Sequence, residues 1–455
     1  MKPDARRPAG LRSARRWWKS PAAASPRLRR IPSGPGTISF RRAAQRQRST
    51  SQGDDVHSTT ATNALPQPFD SVFAADPYAL YARLRTEAPV HRVALPDGAP
   101  VWLVTREADV RVWMSDQRLS LDKAYSSNGY KGFSLPPALD ANLLNMDGED
   151  HLRLRRLVSK GFTPRRVEDL RTSVQGAAER LADALASHDE PDLVADFAGP
   201  LPLMVIGELF AVPEESRKPF SQWVTTMVAP EDPREIPEAI GEIHRFFVDL
   251  IAARREEPGD DLLSALIAAR DVDDRLSEDE LSSLAFLILT AGVENVQHLI
   301  GNGLFTLLVH REQLDQLRAD HDLLPEAVEE LLRFALPNLM AIRRFATEDI
   351  EIGGVRIPRG DTLILCVASA HRDPARYPEP DRFDVHREDK AHLALGQGVH
   401  YCLGAPLARM QIQIALSTLL TRFPHLDLAV RPERLQWRTS WRSRSLRMLP
   451  VAIAP

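Results

Sequence analysis

The segment Leu395-Gly-Gln-Gly-Val-His-Tyr-Cys402-Leu-Gly404-Ala-Pro-Leu-Ala-Arg409 constrains this chain more than any other. Gly396, Gly398 and Gly404 fall within nine residues, and glycine permits tight turns and close approach of the backbone to a flat ligand. An amphipathic helix is predicted over 405–423, with Ile412, Ala415, Leu416, Leu419 and Phe423 on one face. Pro406 is tolerated in its first turn. Cys402 thus stands just ahead of a helix N-terminus, where free N–H groups and the positive dipole end favour a thiolate over a thiol. The other cysteine, Cys366, lies in the apolar run 363–367 and reads as a small buried hydrophobe. Two cysteines in 455 residues make no disulfide framework and are compatible with a reducing cytoplasm.

Other constellations stand at helical spacing. Glu330 and Arg333 lie three apart within 325–334, and His151 and Arg155 four apart in a helix predicted over 152–159. A long helix is predicted over 276–310, opened by the capping box Ser277-Glu-Asp-Glu280. Its middle reads Ala291-Gly292-Val293-Glu294-Asn295. Taken singly, each is an exposed ion pair or a tolerated surface charge.

Together they change meaning, because the cysteine segment resembles the haem-binding signature of the cytochromes P450, F-G-x-G-x-H-x-C-x-G. The one departure is Leu395, where the family has Phe, which touches the tuning of the thiolate and not its ligation. The resemblance runs over residues 66–455, including Ala370-His-Arg-Asp-Pro374 and Leu449-Pro450-Val451. It implies a mainly α fold with a small β-rich region, the cytochrome P450 fold, as one domain over 56–455. It implies one b-type haem held without covalent attachment, with Cys402 as the axial ligand of the iron. Glu330 and Arg333 match the family's E-x-x-R motif. Arg382, in Pro380-Asp-Arg-Phe383, matches the third member of that charged network, which holds the cysteine side of the pocket in shape. His151, Arg155, Arg344 and His400 match the donors that reach the two haem propionates.

On the opposite side, Ala291 and Gly292 match the thin stretch of helix where dioxygen sits, and Glu294 the acid of the family's A-G-x-[DE]-T motif. Asn295 replaces the Thr. An amide can donate a hydrogen bond and hold a water, but it cannot relay a proton as a hydroxyl can. Three outcomes stay open: ordinary hydroxylation with Asn295 organising water, a proton path completed by the substrate, or oxidation without oxygen insertion, such as ring closure or coupling. The resemblance implies a haem-thiolate monooxygenase acting on a small hydrophobic or amphipathic molecule in secondary metabolism. Electrons come from NAD(P)H through a ferredoxin reductase and ferredoxin, since no flavin or iron–sulfur module is fused, and Arg409 is a candidate docking charge. A peroxide-driven enzyme and a non-catalytic haem sensor are the rival readings. Expected substrate contacts are the 120–145 loop, the 201–251 region, Ala291, Val293, the 338–342 segment with Met340, and Ser440-Trp441.

Charge separates the chain into two parts. Residues 1–55 carry fourteen Lys or Arg against Asp4, Asp54 and Asp55, a net +11, while the remainder carries −15. The Arg-rich stretch has no apolar period and reads as a disordered extension. A nucleic-acid arm, a twin-arginine signal and a transit peptide compete with the favoured explanation, a start codon placed too early, with Val56 as the real start. No apolar run reaches the ~18 residues of a membrane span. The expectation is a cytoplasmic monomer that engages neither nucleic acid nor membrane.

Overall fold

Helices dominate the computed structural model, which describes residues 65–127, 129–130, 135–228, 232–272 and 275–453. These fall in the compact unit Asn63–Pro455. The expectations placed on residues 1–55 lie outside the described residues.

The longest helix, Glu278–Val309, is the spine of the fold. The expected capping box starts it. The Ser277 side chain accepts from the Glu280 N–H at 3.1 Å, and the Glu280 carboxylate accepts from the Ser277 N–H at 2.8 Å. Two donors that the first turn leaves without partners are thereby satisfied. The helix is long and apolar enough to cross a membrane, but the helices Pro137–Asp140, Pro200–Leu209 and Ala405–Arg422 pack around it. A helix buried on most of its faces needs apolar residues all round, which explains its composition.

A five-stranded sheet stands apart from the helical core, in the order β1 (Val90–Ala94), β2 (Pro100–Val104), β7 (Thr362–Leu365), β4 (Arg344–Ala346) and β3 (Leu119–Ser120). Only β2 and β7 run parallel, with Trp102 opposite Leu363. The expected hairpin at Gly353-Gly354 joins β5 (Ile350–Ile352) to β6 (Val355–Ile357). Gly353 has φ +57°, and a Cβ there would approach Pro89 to 2.4 Å, so both backbone and packing demand glycine. The stretch expected as one loop over 120–145 instead contains a 3₁₀ turn, Lys123–Tyr125, and the helix Pro137–Asp140. The cysteine helix runs Ala405–Arg422, with Pro406 in its first turn as expected.

Candidate active site

A cavity of about 370 Å³ lies between the middle of the spine helix and the cysteine segment. Gly396 and Gly398 turn the segment with φ +75° and +70°, a region that side chains resist. The Cys402 N–H donates to the Leu395 carbonyl at 2.8 Å, which closes the loop and keeps Cys402 on the cavity wall. Gly404 needs no left-handed backbone, since its φ is −80°. The N–H groups at the helix terminus do act on the sulfur as expected, and burial acts against them. Burial pushes the Cys402 thiol up, against the Gly404 and Ala405 N–H groups and the charges of Arg155 and Arg409.

One end of the cavity gathers donors. His151, Arg155, Arg344 and His400 all line it. His151 comes from the helix Gly148–Ser159 and Arg344 from β4. Both ring nitrogens of His151 and the Nε of Arg344 are buried without a partner. Burial, then the neighbouring His400 and Arg155, push the His151 imidazole down to about 4. Its ring lies 4.1 Å from that of His400. The Arg155 guanidinium donates to the Tyr401 carbonyl and so is held under the cysteine segment. Buried donors without acceptors are costly. Set on a cavity wall, they fit anionic groups carried by a flat ligand, as haem propionates are.

Asp147 was not foreseen. Its carboxylate accepts from His400 Nε2 at 2.7 Å, and from the Ser120 hydroxyl and the Leu121 N–H at 2.6 Å each. Burial works against its charge, but these three bonds more than offset that and hold the carboxyl well below the usual range. No local spacing signals this residue, because the partner His400 lies 253 residues away.

Behind the cysteine segment, Glu330 and Arg333 are fully buried and paired through two bonds of 2.7 and 2.8 Å. Arg333 also donates to the carbonyls of His371 at 2.8 Å, Pro380 at 2.9 Å and Arg382 at 3.2 Å. Here the expectation for Arg382 needs correcting. Its guanidinium is exposed and turns to Glu379 and Asp384, so only its backbone carbonyl enters the network. The second cation on Glu330 is Arg387, whose Nε lies 3.3 Å from Oε1. Arg409 is likewise not a free docking charge, because Glu329 clamps it at 2.6 and 2.8 Å.

On the spine helix, Ala291, Gly292 and Asn295 face the cavity, and Met340 lines it from the 338–342 segment. Gly292 also answers to packing, since a Cβ there would meet Ile206 at 2.7 Å. Val293 does not touch the cavity; it is buried in the helical core. Trp441 also lies off the wall and packs on Phe69 at 5.4 Å. Glu294 does not line the cavity, and burial pushes its carboxyl up despite Arg438 and Arg442.

One turn on, His298 is buried, and burial followed by Arg438 pushes it down to about 4. The unfolded chain binds this proton near pH 6.5, so the folded state is favoured above that value and loses the advantage as pH falls towards 4. Unfolding free energy should drop by ~2 kcal/mol between pH 7 and 5 from this group. Chemical denaturation at the two pH values would measure it, and His298→Gln should remove that share.

A cysteine at the foot of the cavity, arginine and histidine donors at one end and a thin helix opposite are the constellation of a haem-thiolate oxygenase. A sequence profile of the family "Cytochrome P450" matches residues 205–436. The chain is 44% identical over 382 residues to cytochrome P450 monooxygenase PikC of Streptomyces venezuelae, covering 83% of this chain and 91% of that protein. It is 42% identical over 401 residues to 6-deoxyerythronolide B hydroxylase of Saccharopolyspora erythraea, covering 86% and 99%. The solved structure of the P450 monooxygenase TamI bound to tirandamycin C superposes with a TM-score of 0.82 at 42% identity, covering 86% of this chain and all of that one. The chain belongs to the cytochrome P450 family. It is a monooxygenase that uses haem iron and electrons derived from NAD(P)H through redox partners.

Proposed function

We propose that Cys402 is the axial thiolate of the haem and that the enzyme oxidises a polyketide-like secondary metabolite by hydroxylation, epoxidation or oxidative ring closure. The observation that carries this reading is the cavity itself. Its cysteine wall faces Ala291, Gly292 and Asn295, and its side walls around Leu143, Leu144, Ile206, Leu287 and Ile288 are apolar. Such a lining selects a hydrophobic body by area and a few polar groups by position. The 6-deoxyerythronolide B hydroxylase named above, and a relative described as a polyketide biosynthesis cytochrome P450, support the substrate class. The bound haem supplies oxygen activation. The chain's own residues supply the rest: His151, Arg155, Arg344 and His400 would hold the propionates, Glu330 and Arg333 stiffen the cysteine side, and Asn295 would donate a hydrogen bond into the space on the opposite side. Ferredoxin and its reductase, in the cytoplasm, deliver electrons to a monomer. Residues 1–55 add nothing to turnover, and their deletion should leave it unchanged.

The experiment is to supply ferredoxin, its reductase and NADPH and screen macrolactone and related polyketide substrates for oxygenated products. Asn295→Ala should lower product formed per NADPH by about fivefold, the equivalent of one net hydrogen bond. Unchanged coupling in both Asn295→Ala and Asn295→Thr would overturn the role of this residue. One observation favours a second reading: neither Asn295 nor the off-wall Glu294 offers a hydroxyl relay to the cavity. A peroxide-driven enzyme would turn over with hydrogen peroxide faster than with the electron-transfer proteins.

A further inference from the structure

The Asn295 amide is not free in the cavity. Its Nδ2 lies 3.4 Å from the Ala291 carbonyl, and its Oδ1 accepts from Asn338 Nδ2 at 2.8 Å. The chemistry of the partners fixes which atom is which. A carbonyl only accepts, so nitrogen must face Ala291; the remaining amide oxygen must then meet a donor, which Asn338 supplies. One N–H of Asn295 is left without either partner, and both asparagines line the cavity.

Asn338 is well placed to impose that orientation, because its backbone is clamped. The Leu339 N–H donates to the Arg442 carbonyl at 2.9 Å, and the Arg444 N–H to the Pro337 carbonyl at 2.7 Å. Asn338 itself forms a β-bridge with Ser443. The spine helix holds the same strip from behind, where Asn302 Nδ2 donates to the Arg444 carbonyl at 2.8 Å. The Asn338 side chain therefore starts from a fixed point, and its Nδ2, 2.8 Å from Asn295 Oδ1, favours the state of the Asn295 amide that turns oxygen toward it.

We propose that Asn338 is a positioning residue that locks the Asn295 amide with an N–H, and not its carbonyl, presented to the oxygen-side space. This rests on the reading of Asn295 given above. The substitution Asn338→Asp tests it by sign. An ionised carboxylate only accepts, so the Asn295 amide would turn over to give it an N–H, exchanging the long 3.4 Å contact with the Ala291 carbonyl for a charge-assisted bond and putting oxygen where the nitrogen faced the cavity. Asn338→Ala removes the constraint without reversing it.

The C–O stretch of the reduced carbon monoxide adduct, measured by infrared spectroscopy, reads a hydrogen bond to the bound diatomic without turnover. Product per NADPH is the second readout, and an unaltered melting temperature shows that each variant is folded. Asn338→Asp should shift the stretch in the same direction as Asn295→Ala and lower coupling by about fivefold. Asn338→Ala should do less of both. Combined with Asn295→Ala, Asn338→Asp should add nothing, since residues acting through one bond are not additive. A wild-type stretch and coupling in Asn338→Asp, or an additive double variant, overturns the inference. No change in Asn295→Ala overturns the role of Asn295 and this inference with it; a change in Asn295→Ala without one in Asn338→Asp overturns the inference alone.

Discussion

Cys402→Ala is expected to keep the fold and lose the reaction. Its reduced carbon monoxide adduct should lack the strongly red-shifted Soret band that a thiolate ligand produces, and turnover should fall at least about a thousandfold, ~4 kcal/mol of barrier. The side chain contributes little to packing, because Cys402 lines the cavity and is not part of the hydrophobic core. Its loop is closed by backbone, through the Cys402 N–H bond to Leu395 and the positive φ of Gly396 and Gly398. Far-ultraviolet circular dichroism of the variant should therefore match the parent. Cys366→Ala is the matched control. That cysteine is fully buried beside Tyr81, so its loss costs about 1 kcal/mol of stability and leaves the spectrum intact. A red-shifted band that survives in Cys402→Ala would remove this cysteine from the iron.

The largest stability effect should come from the pair behind it. Glu330→Gln keeps the shape of the side chain but leaves the Arg333 guanidinium, which has no exposed surface, without its counter-charge. Stranding a buried charge costs about 3–5 kcal/mol, a large part of the 5–15 kcal/mol that holds a typical domain folded. Arg333→Lys should do no better. An ammonium cannot replace a fork that reaches Glu330 twice and the His371, Pro380 and Arg382 carbonyls once each. The carbonyls come from residues 371–382, the stretch that leads into the cysteine loop, so haem retention should fall with stability. Melting temperature and haem per polypeptide are the measurements. The double variant Glu330→Leu/Arg333→Met should be less destabilised than Glu330→Gln, because it strands no charge. If it is more destabilised, the pair is worth more than its desolvation.

Features written locally in the chain were legible in it. The capping box, the Gly353-Gly354 hairpin, the Glu330–Arg333 pair and the cysteine loop each lie within ten residues, where spacing and backbone preference decide the geometry. Val293 could have been excluded on the same grounds. It lies about 200° round the helix from Ala291 at 3.6 residues per turn, while Asn295 returns to the same face. Roles set by distant contacts were not legible. Whether Arg382 or Arg387 turns inward depends on the path of an irregular loop over 50 residues from Glu330. Asp147 acquires its function from His400, 253 residues away, and Asn338 from a helix 43 residues earlier. In each case the residue type is unremarkable and only the fold supplies the partner.

The parallel pairing of β2 with β7 has a consequence for how the chain is made. Trp102 leaves the ribosome 261 residues before Leu363, its partner in the sheet. At about 5–20 residues per second, that is a wait of roughly 13–50 s. Until then β2 has only β1 beside it, and a lone hairpin is marginal in water. Its open edge is a template for pairing with other nascent chains. The edge stays open to such pairing until residues 362–365 have been made.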